Sequence, residues 1–203
     1  MSNRGACYIV YGEAARKEAA LSIQSLQLSN DLPVTVIGEA VDSLPCIPFE
    51  RIDKGGRWAK VNLDSLSPYQ HTLYIDADTR VHGNLSAGFD ILANGFDLAI
   101  TPSTNQSSSD WLWHVDEVER DYTRLELGFA GLVLQAGVMF IARNERTRQL
   151  FGHWRSEWMR WKGQDQAALL RALAAVPVKV WLLGRPYNGG SIVDHRFGAI
   201  RRR

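Results

Sequence analysis

Continuous apolar runs alternate along this chain with stretches in which apolar residues return every three or four positions, a pattern that predicts strands separated by helices. Ala6 to Tyr11 is unbroken apolar sequence, as a strand covered on both faces requires, and Gly12 ends it. From Glu13 to Leu28 the positions Ala15, Ala19, Ile23 and Leu26 share one helical face, with Glu13 at the end where the helix dipole favours negative charge. Pro33 then opens a second strand, Val34 to Ile37. Strand, helix and strand make a βαβ unit. It predicts a mainly parallel sheet, a right-handed crossover and a crevice above the strand ends able to take a nucleotide.

Gly38 to Gly56, interrupted by Pro45 and Pro48, has no period and predicts a loop with one edge strand near Ile47 to Phe49. Arg57 to Leu66 predicts a helix with Trp58, Val61 and Leu66 inward. A buried strand, Thr72 to Ile75, follows, then a short helix from Asn84 to Ala93 and another buried strand from Asp97 to Thr101. Pro102 to Asp121 differs in kind. Its Ser107 to Ser109 run is small and polar, while Trp111, Trp113 and His114 are aromatic, which predicts a loop that is mobile without ligand and closes over one. Leu132 to Ala142 is the strongest apolar run. Asn144 is placed to cap a helix reaching Trp161, with Leu150, Phe151, Trp154, Trp158 and Trp161 inward and Gly163 at its end. Gln164 to Ala174 predicts the next helix, with Ala168, Leu169, Ala172 and Leu173 inward, and Val178 to Leu182 a last strand before a loop to His195.

With 203 residues, 45% of them hydrophobic, the chain has material for one sizeable core, and neither a repeat nor a linker divides it. One α/β domain is expected. The formal charge of +1, with bases scattered except for Arg201 to Arg203, argues against nucleic acid as a partner. Cys7 and Cys46 have neither metal-site spacing nor the density of a disulfide framework, which suits a reducing compartment. No apolar run approaches the roughly 18 residues of a membrane span, and no signal-peptide core opens the chain, so a cytoplasmic location is expected.

The candidate chemistry starts after the Thr72 to Ile75 strand, where Asp76 and Asp78 leave the sheet one residue apart. Open α/β sheets bind ligands at that end. Two carboxylates so close stay ionised when a hard cation sits between them, so they read either as a metal site serving a phosphate or as a turn cap beside a solvated acid. Arg57 and Lys60 lie one turn apart and could serve a single anion, or be two solvated cations. Asp165 and Gln166 open a helix, where Asp165 either faces a ligand or stabilises the helix terminus. Trp111 and Trp113 could stack on sugar rings or form a satellite core. Gly137 marks a place where a backbone or ligand comes close.

Taken in order, these features resemble the nucleotide-diphospho-sugar transferases of the GT-A fold, and among them glycosyltransferase family 8, the glycogenin and bacterial galactosyltransferase group. The resemblance spans nearly the whole chain. It rests on the opening βαβ unit, Lys60 before the Asp-x-Asp strand, Ser67-Pro68-Tyr69, the run Tyr74-Ile75-Asp76-Ala77-Asp78-Thr79, Gln135-Ala136-Gly137-Val138-Met139, Asp165-Gln166 and His195-Arg196-Phe197-Gly198. It implies a single-domain, Rossmann-like GT-A fold with a mainly parallel mixed sheet flanked by helices, its nucleotide-binding half over about residues 1–83 and its acceptor half over about 84–203. It implies an enzyme that transfers a hexosyl group, with retention, from a nucleotide-diphosphate sugar, a UDP-sugar foremost, to an unidentified sugar, lipid or protein hydroxyl. It implies Mn²⁺ or Mg²⁺ held by Asp76, Asp78 and His195. It also implies donor contacts from Tyr11, Arg57, Lys60, Asp76, Ala77, Gln135, Gly137, Gly198 and Arg201, with Asp165 and Gln166 beside the reacting sugar. The match has gaps: Ala15 falls where the family has its base-stacking tyrosine, leaving that part to Tyr11, Gln135 replaces an asparagine, and Arg201 to Arg203 replace Lys-Pro-Trp.

Two other readings compete. A strand ending in an Asp-x-Asp pair also opens the haloacid-dehalogenase-like phosphatases, where Asp76 would be a nucleophile and Asp78 a general acid. Here a whole βαβ unit precedes the pair, and no later strand ends in the acidic pair that completes that family's magnesium site. The third reading is a non-catalytic nucleotide-sugar binder, since 203 residues leave little chain for an acceptor domain.

Overall fold

The computed structural model describes residues 3–104 and 111–198. The chain runs β1 (Arg4–Val10), α1 (Glu13–Ser29), β2 (Val34–Gly38), β3 (Cys46–Ile47), two helical turns α2 (Arg57–Lys60) and α3 (Leu63–Leu66), β4 (His71–Ile75), β5 (Thr79–Val81), α4 (Ser86–Ala93) and β6 (Leu98–Pro102). It continues through α5 (Glu117–Leu127), β7 (Leu134–Ala142), α6 (Glu145–Trp161), α7 (Asp165–Ala175), β8 (Val180–Leu182), a 3₁₀ turn (Arg185–Tyr187) and β9 (Val193–His195). Seven strands form one sheet in the order β3-β2-β1-β4-β7-β6-β8, and β5 pairs with β9 in a separate ribbon. β7 is antiparallel to both its neighbours and the remaining pairings of the large sheet are parallel. This is the mixed, mainly parallel α/β sheet that the hydrophobic pattern predicts.

Alternation along the strands feeds two cores. Ala6, Tyr8, Val10, Leu73 and Ile75 pack with Ala19, Ile23 and Leu26 of α1 and Phe89 and Leu92 of α4 on one face. Cys7, Tyr74, Met139 and Ile141 pack with Leu150, Phe151, Trp154 and Trp158 of α6 and Leu169 of α7 on the other. Asn144 caps α6 as expected, its Oδ1 accepting from the Thr147 N–H at 3.0 Å while Thr147 Oγ1 accepts from the Asn144 N–H. Among the described residues no helix is long and apolar enough to cross a membrane.

The structure corrects the periodic reading in four places. Arg57 to Leu66 is not one helix: the Asn62 side chain bonds back to the Trp58 carbonyl (2.7 Å), competing with the backbone, and Val61 and Asn62 separate α2 from α3. Upstream, the Asp53 carboxylate accepts from the N–H groups of Gly55, Arg57 and Trp58, which winds the chain into α2. α6 ends at Trp161 as expected, but its left-handed cap is Lys162, φ 53°, and not Gly163, and Trp161 is only half-buried. The expected loop of residues 102–121 is shorter, because α5 starts at Glu117 under a cap from Asp116, whose Oδ1 accepts from the Val118 N–H (3.0 Å), and ends at Gly128, φ 70°. Ser107 to Ser109 lie outside the described residues. Of the two roles open to Trp111, the sugar platform falls and the satellite core stands: it packs with Leu112, Val115, Val133, Ala167 and Leu170, and its indole N–H donates to the Gly131 carbonyl at 2.7 Å.

Candidate active site

Asp76 and Asp78 follow the carboxyl end of β4 into a cleft of about 570 Å³. The turn is closed by Thr79, whose hydroxyl donates to the Asp76 carbonyl (2.8 Å), and leads into β5. Pairing of β5 with β9 sets Thr79 opposite His195. His195 Nε2 then lies 3.2 Å from Asp78 Oδ1 and 3.7 Å from Asp76 Oδ2, and ligating atoms of all three side chains fall within 4.8 Å of one another. Each is oriented by a partner. Asn188 Oδ1 sits 2.6 Å from His195 Nδ1, which leaves Nε2 to the carboxylates. The Gly198 N–H donates to Asp78 Oδ2 (3.1 Å), and the Tyr74 hydroxyl donates to Asp76 Oδ1. Burial works against the charged form of Asp78, but His195 and the Gly198 N–H outweigh it and hold its pKa below 3.8.

Gly137 tests whether an ion fits. A Cβ there would lie 2.3 Å from His195 Cε1 and 2.9 Å from Asp76 Oδ2, so glycine alone keeps the cradle open. Gly137 also accepts the Asp76 N–H on its carbonyl (2.8 Å), which fixes the distance between β7 and the acidic turn. Two carboxylates and one imidazole nitrogen suit a divalent cation with ligand positions to spare.

Behind Asp76 the charges interlock. Lys60 Nζ lies 3.3 Å from Asp76 Oδ1 and 3.2 Å from Asp165 Oδ2, and Arg57 Nε lies 3.9 Å from Asp165 Oδ1. Neither cation is solvated in the way a helix-surface charge would be. Burial works to lower the Lys60 pKa, but Asp165 and Asp76 outweigh it and the pKa is raised. Asp165 mirrors this: burial opposes its charge, Lys60 and Arg57 outweigh burial, and its pKa is lowered. The Tyr74 pKa is pushed well up by burial and the neighbouring Asp76, so the phenol stays a donor to that carboxylate.

The remaining predicted residues take varied places. Ala77, Gln135 and Tyr11 line the cleft, although the Tyr11 hydroxyl donates to the Phe49 carbonyl (3.1 Å) and the Arg51 guanidinium lies 5.6 Å over its ring. The Gln166 amide donates to Gln135 Oε1 and to the Leu134 carbonyl (3.2 Å), joining α7 to β7 at the cleft wall. Arg201 lies outside the described residues. Sequence reasoning missed Tyr74 and Asn188 as orienting residues, and Phe197, whose ring stacks on His195 with centroids 3.9 Å apart. It treated Trp111 and Trp113 alike, whereas only Trp113, 61% exposed, lines the cleft, beside His114. Burial lowers the His114 pKa, so its ring is neutral at physiological pH.

No family model matches the chain and no curated protein matches it. Solved structures do. WbbM, described as a bifunctional glycosyltransferase, superposes with a TM-score of 0.69 at 13% identity, covering 91% of this chain and 39% of its own. The galactosyltransferase LgtC, in complex with donor and acceptor sugar analogs, superposes with a TM-score of 0.60 at 16% identity over 89% of this chain and 73% of its own. The glycosyltransferase GlyE of Streptococcus pneumoniae does so at 0.60 and 14%, over 92% of this chain and 46% of its own. The fold is therefore the GT-A-like fold of glycosyltransferases, and this chain spans well under half the length of WbbM.

Proposed function

We propose that this chain is a metal-dependent glycosyltransferase that moves a hexosyl group, with retention, from a nucleotide-diphosphate donor, a UDP-sugar foremost, to a sugar, lipid or protein hydroxyl. The observation that carries the proposal is the convergence of Asp76, Asp78 and His195 on one point of the cleft, with the Lys60–Asp165 pair directly behind Asp76. Mn²⁺ or Mg²⁺ held by those three side chains would neutralise the charge that develops on the departing diphosphate oxygen. Lys60 pairs with Asp76 in that role and fixes Asp165, which with Gln166 binds hydroxyls of the donor sugar. A carboxylate clamped by Lys60 and Arg57 with its pKa held low is a poor proton acceptor, which favours retention over an inverting reaction with Asp165 as base. Tyr11, Ala77, Gln135, Gly137, Gly198 and Arg201 complete the donor contacts. Residues from about 1 to 83 serve the nucleotide and those from about 84 to 203 the sugar and the acceptor, with Trp113 as a stacking platform.

A phosphatase with Asp76 as nucleophile fits less well, since Asp76 Oδ1 is occupied by Tyr74 and Lys60. Turnover of radiolabelled UDP-sugars, with and without EDTA, is the test. Sugar release or transfer that EDTA abolishes and Mn²⁺ restores is the expected result, with the anomeric configuration of the product read by NMR. Turnover indifferent to EDTA would sink the metal-dependent reading. Donor binding without any turnover would leave a nucleotide-sugar binding protein.

A further inference from the structure

One face of α1 is polar where it is buried. Glu18 and Ser22 are fully buried, and with Ser25 they follow the spacing of a single helical face. Their partners belong to the β5–β9 ribbon. Glu18 Oε2 accepts from Arg80 Nη2 (2.7 Å) and lies 4.0 Å from Arg196 Nη1. Ser22 Oγ is 2.7 Å from Thr79 Oγ1, and Ser25 Oγ accepts from the Val81 N–H (2.9 Å). α1 thus grips β5 along its length. Arg80 lies two residues beyond Asp78, Arg196 adjoins His195, and the Arg196 N–H donates to the Asp78 carbonyl (2.8 Å). The ribbon carries Asp78 and His195, whereas Asp76 belongs to the end of β4, so the seat of the ribbon decides whether the three meet. We infer that Glu18 is a positioning residue for the cation site: by holding Arg80 and Arg196 together its buried carboxylate seats the ribbon so that Asp78 and His195 reach Asp76. This rests on the metal-site reading proposed above. Apolar packing would also have anchored α1, but it would have left the Arg80 guanidinium, only 15% exposed, without a carboxylate.

The test reads metal binding and not turnover: Mn²⁺ titration of the whole chain followed by electron paramagnetic resonance, without donor, below the unfolding temperature of every variant. Glu18→Gln keeps the shape and is expected to weaken Mn²⁺ binding about tenfold, the low end of what outer-shell partners contribute. Arg196→Met, at a half-exposed position, should weaken it less and add little on top of Glu18→Gln. Asn30→Ala is the control, removing a buried side chain at the end of the same helix that bonds the Gly83 carbonyl and the Leu85 N–H; it should lower Tm and leave Mn²⁺ affinity unchanged. A Glu18→Gln chain that binds Mn²⁺ like the parent, or an Asn30→Ala chain that loses as much, overturns the inference. Should Glu18→Gln fail to fold, Arg196→Met decides alone, and unchanged affinity there overturns it. A parent that binds no Mn²⁺, or binding that survives Asp78→Asn, removes the metal-site reading and this inference with it.

Discussion

Two networks of buried charge meet on α7, one at the cleft and one away from it, and they end differently. At the cleft Arg57, Lys60, Asp165 and Asp76 form a chain whose last member, Asp76, is 26% exposed in the cleft. Away from the cleft Arg171 of α7 donates to Glu119 of α5 (3.0 Å), to Glu157 of α6 (2.6 Å) and to Thr123, and it lies 5.5 Å from the centre of the Tyr122 ring. That cluster is sealed from the cleft: Arg171 is 4% and Glu119 1% exposed, and Glu157, 20% exposed, pairs also with Arg160 at the surface. A network with an open end can trade one partner for a ligand, whereas a sealed one can only join the helices that supply it. Similar residue types therefore open onto the cleft in one network and only join helices in the other.

The largest effect should come from the open network. Asp78→Asn keeps the Gly198 N–H contact but removes a ligand charge, and it is expected to lower kcat on the order of 10²–10³-fold, as loss of one transition-state contact does elsewhere. Its Tm should stay near the parent's. A variant that loses Tm and keeps kcat would put Asp78 among the structural charges and erase the distinction between the two networks.

The sealed network should show the reverse. Arg171→Met leaves Glu119 buried without its cation, while Glu157 keeps Arg160, and should cost about 3–5 kcal/mol of stability, read by urea unfolding. The molecules that remain folded should bind Mn²⁺ as the parent does. Weakened binding would mean that α5 and the metal set form one unit.

The same contrast decides what was legible in the sequence. The acidic turn could be read because it follows an unbroken apolar strand, and Gly137 because it interrupts one. α5 could not, because its polarity is inverted: Glu119 and Thr123 face inward while Val118, 66% exposed, and Leu125, 82% exposed, face solvent. Hydrophobic periodicity is blind to a helix whose inner face is charged, and the partner that makes that face stable, Arg171, is 52 residues away. Glu18 on α1 was missed for the same reason. Asn188 and Tyr74 were missed because an orienting hydrogen bond leaves no periodic trace, only a residue type that many turns and strands share. Lys60 was ambiguous until its two carboxylates were in place.

A smaller effect separates the two tryptophans. Trp113→Ala removes an exposed ring from the cleft and is expected to raise KM for a saccharide acceptor by up to about tenfold, the worth of one stacking contact, with KM for the donor unchanged. Trp111→Phe removes the indole N–H bonded to Gly131 and part of a core side chain, so it should cost about 1–2 kcal/mol of stability and leave both KM values alone. Equal kinetic effects from the two would return Trp111 to the ligand side.

The smallest expected effect is a pH dependence of opposite sign in the two networks. Burial would raise the Asp165 pKa, but Lys60 and Arg57 hold it below 3.8, so the stability it contributes is present above pH 3.8 and lost as pH falls through its lower folded-state value. Glu119 runs the other way. Burial dominates there because Arg171 is shared with Glu157, and the Glu119 pKa is held above 4.5. Its contribution is complete below pH 4.5 and lost as pH rises through the folded-state value. Calorimetric Tm values should therefore show the gap between Glu119→Gln and the parent shifting in favour of the variant as pH rises from 4.5 to neutrality. The gap between Asp165→Asn and the parent should shift in favour of that variant only below pH 3.8. Gaps that stay parallel across the whole range would mean that neither carboxylate changes its proton affinity on folding, and the cleft network would then owe its charge to the ligand it binds and not to Lys60.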